Sequence, residues 1–506
     1  MSPSTYLLLI FLYFGILILV SFFTSKDVSN ETFFTAKKGS PWFLVAFGMI
    51  GASLSGVTFI SVPGEVGNTY FTYLQIVFGY LLGYFAIANI LLPLYYKLNL
   101  TSIYKYLETR FGPISHKTGA SFFILSRLIG SSFRLFLVAM VLYTYIFSKW
   151  NIPFSVTVII TIILIWVYSY RSGIKTIVYT DVIQTICMLL SIILCMVFIP
   201  KYLNVSFGEM IKQVFESKYS QVFNWDWHAK NNFFKYFFSG AFITIVMTGL
   251  DQDMMQKNLT CRNLKDARKN MYTMSLILLF INLLFLTLGA CLYLYANNKG
   301  IIIENFSNPE LFSKCRIELF DPVKKVYMCY STDQLFPFLS FKYFPFFLSL
   351  VFFIGLIAAA YSSADSALTA LTTSFCVDFL NFQKTNNNNV KLRYIVHLCF
   401  SFLIFVIIML FKLINNESVI NSLFTIAGYT YGPLLGLYTF GLFTKREVVD
   451  KWVPFIAVIS PVLSYLVNLF SEKIFDGYKF GFELLILNGF ITFVGLFIIS
   501  KPINKN

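Results

Sequence analysis

Long apolar stretches recur along the whole chain, separated by shorter polar segments. Most are about 20 residues long, the length that an α-helix needs to cross a ~30 Å hydrocarbon core, and they lack the alternation of β-barrel strands. The pattern therefore predicts an all-α polytopic membrane protein with about thirteen transmembrane helices. The predicted spans are approximately 3–24, 41–63, 70–97, 118–148, 153–170, 174–200, 233–256, 270–297, 344–380, 391–414, 419–443, 450–472 and 479–500.

The composition supports a membrane protein. Hydrophobic residues make up 57% of the 506 residues and charged residues 12%, whereas soluble globular proteins carry about 25% charged residues. The net charge of +15 does not predict a nucleic-acid partner, because the chain offers neither a soluble basic face nor a stacking platform. Its expected partners are the lipid bilayer and a small-molecule solute, and we expect it to function as a monomer.

Basic residues predict the orientation of the spans. With the N-terminus outside, most lysines and arginines of the short loops lie in the cytoplasm, including the cluster QKNLTCRNLKDARK (Gln256–Lys269), as the positive-inside rule requires. The first apolar stretch, Tyr6–Phe23, is too long for the apolar core of a signal peptide, so it is predicted to be a span. The chain is therefore expected in a plasma or inner membrane, with its C-terminus in the cytoplasm.

The ninth span carries an unusual number of oxygen atoms for an apolar segment. Within GLIAAAYSSADSALTALTTSF, one helical face carries Ser362, Asp365, Ser366, Thr369 and Thr373. Single hydroxyls in membrane helices often bond back to a carbonyl four residues earlier. An ionisable group inside a span, however, costs at least ~2.5 kcal/mol and normally marks an ion or solute pathway. Because hydroxyls, a carboxylate and free carbonyls are hard ligands for a small alkali cation, this face predicts a sodium site.

The second span is the candidate for the other half of this site. In FGMIGASLSGVTFISVPGEVG (Phe47–Gly67), glycines and Pro63 interrupt an apolar run. Such an interruption indicates either an unwound helix that frees backbone carbonyls or close packing of helices. The second and ninth spans lie seven spans apart, and both are predicted to be interrupted and to carry hydroxyls. This pairing favours unwinding at a cation site.

Five motifs on the expected helices link the chain to a known family. They are LETRFG (Leu107–Gly112), SGIKTIVYTDVIQ (Ser172–Gln184), GLDQDMMQKNLTCRNLKDARK (Gly249–Lys269), GLIAAAYSSADSALTALTTSF (Gly355–Phe375) and IAGYTYGPLLGL (Ile426–Leu437). On these motifs the chain resembles the sodium/solute symporter family, whose members include sodium-coupled sugar, proline, monocarboxylate and sialic acid transporters. The resemblance covers nearly the whole chain.

The resemblance implies a LeuT-like fold with two inverted repeats of five helices. Residues 1–506 would form a single transmembrane transporter domain. Its parts would be a leading helix at 3–24, a first repeat at 41–200, a second repeat at 233–443 and two trailing helices at 450–500. The implied function is sodium-coupled import of a small polar organic solute by alternating access.

Sodium is the cofactor that the resemblance implies, with its main site between the second and ninth spans. The ligands carried over from the family are the backbone carbonyls of Gly51, Leu54 and Ala359 and the hydroxyls of Ser362 and Ser363. Some relatives hold a second sodium at the matching aspartate, and the residues that would hold it here are Asp181, Gln184, Asp365 and Ser366, with Ser362. Alternatively, Asp181 is a carboxylate near a helix N-terminus, where the helix dipole favours it.

The solute is expected at mid-membrane beside the interrupted helices. The predicted contacts are Ser53, Ser55, Thr58, Gln75, Arg134, Thr244, Met247 and Gln252. The planar guanidinium of Arg134 suits a carboxylate, which favours an organic acid such as a sialic acid or a monocarboxylate. The alternative for Arg134 is pairing with a protein acid or carbonyl, and Arg127, nearer the cytoplasm, is expected to snorkel or pair. Met247 or Thr248 stands where sugar-transporting relatives place an aromatic gate, which disfavours a hexose.

Other functions remain as alternatives. A symporter for a sugar or another neutral solute, a proton-coupled transporter and a channel of the same fold all fit the pattern of spans. An enzyme is not expected, because none of the three histidines has an aspartate four residues on and no P-loop is present. Cys315 and Cys329 share the predicted external loop at 298–343 and would pair if that side of the membrane is oxidising.

Overall fold

Helices dominate the computed structural model, which describes residues 3–24, 29–169, 173–304, 317–382, 389–414 and 419–502. In chain order they are α1 (Pro3–Thr24), α2 (Asn30–Thr35), α3 (Trp42–Ser53), α4 (Gly56–Thr69), α5 (Tyr73–Ala86), α6 (Leu92–Lys97), α7 (Lys105–Arg110), α8 (Pro113–Tyr145), α9 (Phe154–Ser169), α10 (Ile174–Tyr202), α11 (Phe207–Glu216), α12 (Phe233–Thr244), α13 (Gln252–Asn258), α14 (Leu264–Asn298), α15 (Leu335–Lys342), α16 (Phe346–Ser374), α17 (Val390–Ile414), α18 (Val419–Phe443), α19 (Val453–Ile474) and α20 (Leu484–Ile498). Turns of π-helix extend α5, α12 and α16 at Ile87–Leu91, Ile245–Gly249 and Phe375–Phe379.

Each predicted span coincides with helical segments of the structure. Among the described residues, eight helices are long and apolar enough to cross a membrane, or up to nine if a bent pair is counted as one span. Other predicted spans fall on shorter apolar helices, such as α3, α9 and α20. The chain is thus a multi-pass helical membrane protein, and the count of thirteen spans stays a prediction.

The second predicted span is broken, but not at its proline. α3 and α4 are separated by Leu54 and Ser55, which leave the helical conformation. Pro63 lies inside α4, so the span continues beyond its predicted end. Gly64 serves close packing, because a Cβ there would overlap the carbonyl oxygen of Thr332. Of the two explanations for the glycines and proline in this span, unwinding applies at Leu54 and packing applies at Gly64.

The seventh predicted span is also broken, which the sequence pattern did not predict. α12 with its π-helical turn meets α13 at an angle of 68°. Leu250 and Asp251 separate the two helices, and the Asp251 carboxylate caps α13 by accepting from the Asp253 and Met254 amides at 2.9 and 3.4 Å. The free N–H groups and the dipole of a helix N-terminus favour a carboxylate there. Both predicted repeats therefore begin with a broken helix.

The ninth predicted span is continuous, contrary to the predicted interruption. α16 runs unbroken to Ser374 before the π-helical turn. Alanine and leucine, which favour helix, fill many positions between its hydroxyls. Its one glycine, Gly355, packs against Ser191, whose side chain a Cβ would overlap. The hydroxyl face therefore lies on an intact helix that is buried along nearly its whole length and packs against α3, α4, α8 and α10.

Two small antiparallel sheets lie outside the spans. β1 (Ile302–Glu304), β2 (Ile317–Asp321) and β3 (Val326–Tyr330) pair in chain order within the second long loop. β4 (Arg446–Val448) pairs with β5 (Ser500–Pro502). Cys329 on β3 is disulfide-bonded, whereas Cys315 lies outside the described residues, so their pairing stays a prediction.

Candidate functional site

The break between α3 and α4 lies against α16. Helix α3 makes its last backbone hydrogen bond from the Leu54 amide to the Ile50 carbonyl, at 2.9 Å, so the carbonyls of Gly51 to Leu54 lie beyond that bond. The last carbonyls of a helix have no intrahelical partner. Gly56, at the start of α4, approaches α16 closely, because a Cβ there would lie 3.5 Å from the Ala360 Cα. The break thus frees backbone oxygens beside the hydroxyl-bearing helix.

Ser362 and Ser363 on α16 are buried, and each donates its hydroxyl proton within the protein. Ser362 Oγ donates to Asp181 Oδ1 at 2.8 Å, and Ser363 Oγ donates to the Ala360 carbonyl at 3.3 Å. A hydroxyl has one proton and two acceptor lone pairs, so each oxygen keeps lone pairs that can face a cation. Hydroxyls and backbone carbonyls in a buried site fit the ligand chemistry of sodium.

The predicted ligands of the main sodium site come from elements that pack together. The set comprises Gly51 and Leu54 at the end of α3 and Ala359, Ser362 and Ser363 on α16. α10 packs against both helices, and a Cβ on Gly51 would overlap Thr185 Oγ1. Glycine at this position therefore allows the end of α3 to approach α10.

The predicted second sodium site contains a lysine. Lys257 Nζ on α13 lies 2.6 Å from Asp181 Oδ2, and both side chains are buried. Because Ser362 donates to Oδ1, both carboxylate oxygens of Asp181 have donors within the protein. The positive-inside pattern placed Lys257 in the cytoplasm with its cluster. In the structure this lysine lies on α13, after the bend, and its side chain is buried in the helix bundle, while the side of the membrane on which it lies stays a prediction.

The other residues predicted for the second site are also buried. Asp365 Oδ2 accepts from the Tyr168 hydroxyl on α9 at 2.7 Å, and Oδ1 accepts from the Ser366 amide at 2.6 Å. Gln184 lies about one turn after Asp181 on α10. Asp365 thus bonds to α9 and Asp181 bonds to α13, and Asp365 also interacts electrostatically with Asp181 and Lys257.

A cavity of about 100 Å³ lies beside the break in the second span. The predicted solute contacts that line it are Ser53, Ser55, Thr58, Arg134, Thr244 and Met247. Leu54 also lines the cavity, so the segment between α3 and α4 contributes both to the cavity and to the predicted sodium site. An ion bound to this segment would therefore change the wall of the cavity.

Gln75 and Gln252 are not brought to this cavity. The Gln75 amide binds backbone groups of Thr72 and of the loop before α12 at 3.1 to 3.2 Å. The Gln252 amide binds the backbone of Thr101 and Ile103 at 2.8 and 3.0 Å. Both side chains are buried and hold backbone groups, so we leave them out of the proposed solute contacts.

Two arginines of α8 reach the cavity in different electrostatic situations. Arg127 pairs with the carboxylates of Asp253 and Asp251, the latter at 3.7 Å, so it pairs rather than snorkels. Arg134, two turns later, is buried, and its Nε atom has no hydrogen-bond partner. Within the described residues, no acid forms an ion pair with Arg134. Its guanidinium therefore lines the cavity without an ion pair to any of the described residues.

Three tyrosines of α5 form part of the cavity wall that the sequence analysis did not predict. Tyr73, Tyr80 and Tyr84 line the cavity, and the hydroxyls of Tyr73 and Tyr80 lie 3.2 Å apart. Their positions fall on one helical face. Helical spacing, which predicted the hydroxyl face of α16, would therefore also have predicted that these three tyrosines share one face of α5. Asn282, Thr248 and Phe424 line the cavity as well.

Comparison with known proteins assigns the chain to a family. The sequence model of the Sodium:solute symporter family matches residues 33–449. The chain belongs to the sodium:solute symporter family. Similar proteins include the sodium/sialic acid symporter NanT of Aliivibrio fischeri, 25% identical over 98% of this chain and 93% of its own length. The sodium/sialic acid symporter SiaT of Proteus mirabilis is 24% identical over 91% and 90% of the two chains, and the human sodium/iodide cotransporter is 24% identical over 82% and 61%.

One solved structure has the same fold as this symporter. It is the substrate-bound outward-open state of a sodium-coupled sialic acid symporter, with a TM-score of 0.79, 18% sequence identity and coverage of 99% of both chains. The matches confirm the resemblance, the fold class, the transporter function and sodium as the coupling ion. The repeat boundaries, the ligand residues and the orientation of the termini stay predictions.

Proposed function

We propose that this sodium:solute symporter imports a small organic acid, with Arg134 binding the carboxylate of the solute. The observation that carries this proposal is the buried guanidinium in the central cavity, which has no protein counter-ion among the described residues. A buried charge is costly unless it is paired. An anionic solute would supply the missing partner during each transport cycle.

The surroundings of Arg134 suit a carboxylate better than a neutral sugar. A guanidinium binds a carboxylate through two parallel hydrogen bonds, which fix the orientation of the bound group. The hydroxyls of Ser53, Ser55, Thr58 and Thr244 supply further hydrogen bonds for polar groups of a solute. The similar full-length proteins named as sodium/sialic acid symporters agree with an acidic solute.

Sodium and solute would be coupled through the segment between α3 and α4. The carbonyls of this segment are proposed sodium ligands, and Ser53, Leu54 and Ser55 also line the cavity. Sodium binding would order this segment and so raise solute affinity, with a coupling free energy of typically 1–3 kcal/mol. Solute binding would then close the site, and the bundle would rock to open it inward.

The remaining architecture is proposed from the family. The inverted repeats would occupy 41–200 and 233–443, and each begins with a broken helix in the structure. The chain would lie in a plasma or inner membrane, with its N-terminus outside and its C-terminus in the cytoplasm. The monomer would be the transport unit.

Uptake into proteoliposomes tests the proposed solute class. Sialic acid, lactate and glucose would each be offered to the purified protein under an inward gradient of sodium or of potassium. We expect one of the acids to accumulate with sodium only, and Arg134→Lys to lower its apparent affinity by about 10-fold or more, because an ammonium cannot form the two-pronged contact. The exposed Arg262→Lys serves as the matched control and should behave as wild type. Sodium-driven accumulation of glucose, with neither acid transported, would contradict the proposal.

A further inference from the structure

We infer that the Lys257 ammonium takes the place of a second sodium ion at Asp181, so that this chain couples transport to one sodium ion per cycle. This inference rests on the proposed function, because it concerns the stoichiometry of the same sodium-coupled transport. It also assigns a role to Lys257 that a count of loop charges would miss. The ammonium is a cation built into the chain, and the main sodium site beside α3 would bind the transported ion.

Both carboxylate oxygens of Asp181 already accept from donors of the protein, and one of these donors is a cation. Lys257 Nζ lies 2.6 Å from Oδ2, and Ser362 Oγ donates to Oδ1 at 2.8 Å. The Lys257 side chain is 1% exposed and that of Asp181 is 0% exposed, so the ion pair is shielded from solvent. A sodium ion at Asp181 would have to use the same oxygens. In a medium of low dielectric constant it would also be repelled strongly by the ammonium.

The helix that carries Lys257 is fixed at both of its ends. Asp251 caps the N-terminus of α13. Next to the lysine, Gln256 Nε2 donates to the Phe34 carbonyl at 2.8 Å and to Thr373 Oγ1 on α16 at 3.0 Å. These bonds hold the ammonium at Asp181 and join α13 to the hydroxyl-bearing helix. A cation held in this way neutralises Asp181 without being carried across the membrane.

The neighbouring carboxylate does not offer an equivalent site. Asp365 is buried, but its two oxygens accept from the Tyr168 hydroxyl and the Ser366 amide, at 2.7 and 2.6 Å. Asp365 lies close enough to Asp181 and Lys257 to interact electrostatically with both, but it makes no ion pair with the lysine among the described residues. The oxygens of Asp365, like those of Asp181, therefore already have donors within the protein.

Sodium titration of thermal stability tests the inference without a solute. A ligand that binds the folded state raises its stability, so the melting temperature of the purified protein would be followed against NaCl, with KCl keeping the ionic strength constant. We expect a single-site response in the wild type, with a Hill coefficient of about 1. Lys257→Met should open Asp181 to a second sodium, which raises the Hill coefficient towards about 2 and enlarges the stabilisation at saturating sodium.

Two further variants make the titration specific. Lys257→Arg keeps a cation at Asp181 and should titrate as wild type. Lys257→Met combined with Asp181→Asn removes the whole pair and should return the response to a Hill coefficient of about 1. Unchanged sodium dependence in Lys257→Met, with the protein folded, would overturn the inference.

A direct count of ions decides the question even if Lys257→Met does not fold. The reversal of solute flux in wild-type proteoliposomes, at set gradients of sodium and solute, gives the number of sodium ions per solute. One ion supports the inference and two ions overturn it. If no organic acid is transported, the proposed solute fails, but the sodium titration still tests Lys257, so the two failures can be told apart.

Discussion

The two broken spans place opposite kinds of chemistry at their breaks. Between α3 and α4, the residues that leave the helix are Leu54 and Ser55, and the groups released are neutral backbone carbonyls next to serine hydroxyls. The break between α12 and α13 contains Asp251, whose carboxylate is contacted by other side chains of the protein. The Asp251 carboxylate accepts from the Tyr431 hydroxyl at 2.5 Å and pairs with Arg127 at 3.7 Å.

The backbone carbonyls at the second break also accept hydrogen bonds from side chains of the protein. The Tyr95 and Tyr104 hydroxyls donate to the carbonyls of Gly249 and Leu250, both at 2.8 Å. At the first break, no side chain among the described residues donates to the carbonyl of Leu54. The two breaks therefore differ in whether side chains of the protein donate hydrogen bonds to the backbone carbonyls at the break. This difference supports the proposal that the first break binds an ion, whereas the polar groups of the second break bind other parts of the protein.

The largest effect is expected on stability at the second break. Arg127→Met leaves the Asp251 and Asp253 carboxylates buried without their cation, and breaking a buried pair by removing one partner costs about 3–5 kcal/mol. Chemical unfolding in detergent micelles would measure the loss in the free energy of unfolding. Arg262→Met, at an exposed position, is the control and should leave stability unchanged. A loss of the same small size in both variants would mean that the second break does not depend on its charges.

The next effect is expected on sodium binding at the first break. Ser363→Ala removes one proposed ligand from a small set, so the apparent sodium affinity should fall by about 10- to 100-fold. The melting temperature in NaCl against KCl would measure it. Ser464→Ala on α19 is the control, because that hydroxyl also bonds back to its own helix, at 2.8 Å, but lies away from the break. Equal sodium affinity in the two variants would remove Ser363 from the site.

Features that depend on a single helix could be predicted from the sequence. The hydroxyl face of α16 follows from helical spacing, and Arg134 is visible as a charge inside an apolar stretch. In the structure Arg134 lines the cavity, and Ser362 of the hydroxyl face bonds to Asp181. The break of the second span was also predicted, but its position was not. Proline suits the membrane helix α4 when its neighbours satisfy the backbone, so Pro63 was a poor marker of the break.

Features that depend on how helices meet could not be predicted in the same way. Lys257 was counted by its place in a basic cluster, whereas in the structure it lies on α13, after the 68° bend, and contacts Asp181 on α10. The segment at the bend has no proline, and donors from α8 and α18 contact Asp251 there. Such partners are far apart in sequence. A rule that considers one segment at a time therefore does not reveal the contact between Lys257 and Asp181.

A smaller effect tests the occupied carbonyls of the second break. Tyr104→Phe removes the hydroxyl that donates to the Leu250 carbonyl, and we expect the free energy of unfolding to fall by about 1 kcal/mol. Sodium affinity should stay as in the wild type, because the second break is not proposed to bind the ion. Unfolding and sodium titration of the same preparation would give both values. A clear loss of sodium affinity in this variant would show that the two breaks are not separate in function.

The smallest effect on stability is expected where a charge is removed from the cavity at the first break. Arg134→Met deletes a buried cation that has no protein counter-ion among the described residues, so the folded state loses no pair and is relieved of a desolvation cost. The free energy of unfolding should therefore stay within about 0.5 kcal/mol of the wild type or rise, while sodium-driven uptake of the acid is lost. Arg127→Met is the matched comparison, since both arginines lie on α8 and both line the cavity. If Arg134→Met were as destabilising as Arg127→Met, Arg134 would have a structural partner, and the difference between an open first break and a filled second break would no longer hold.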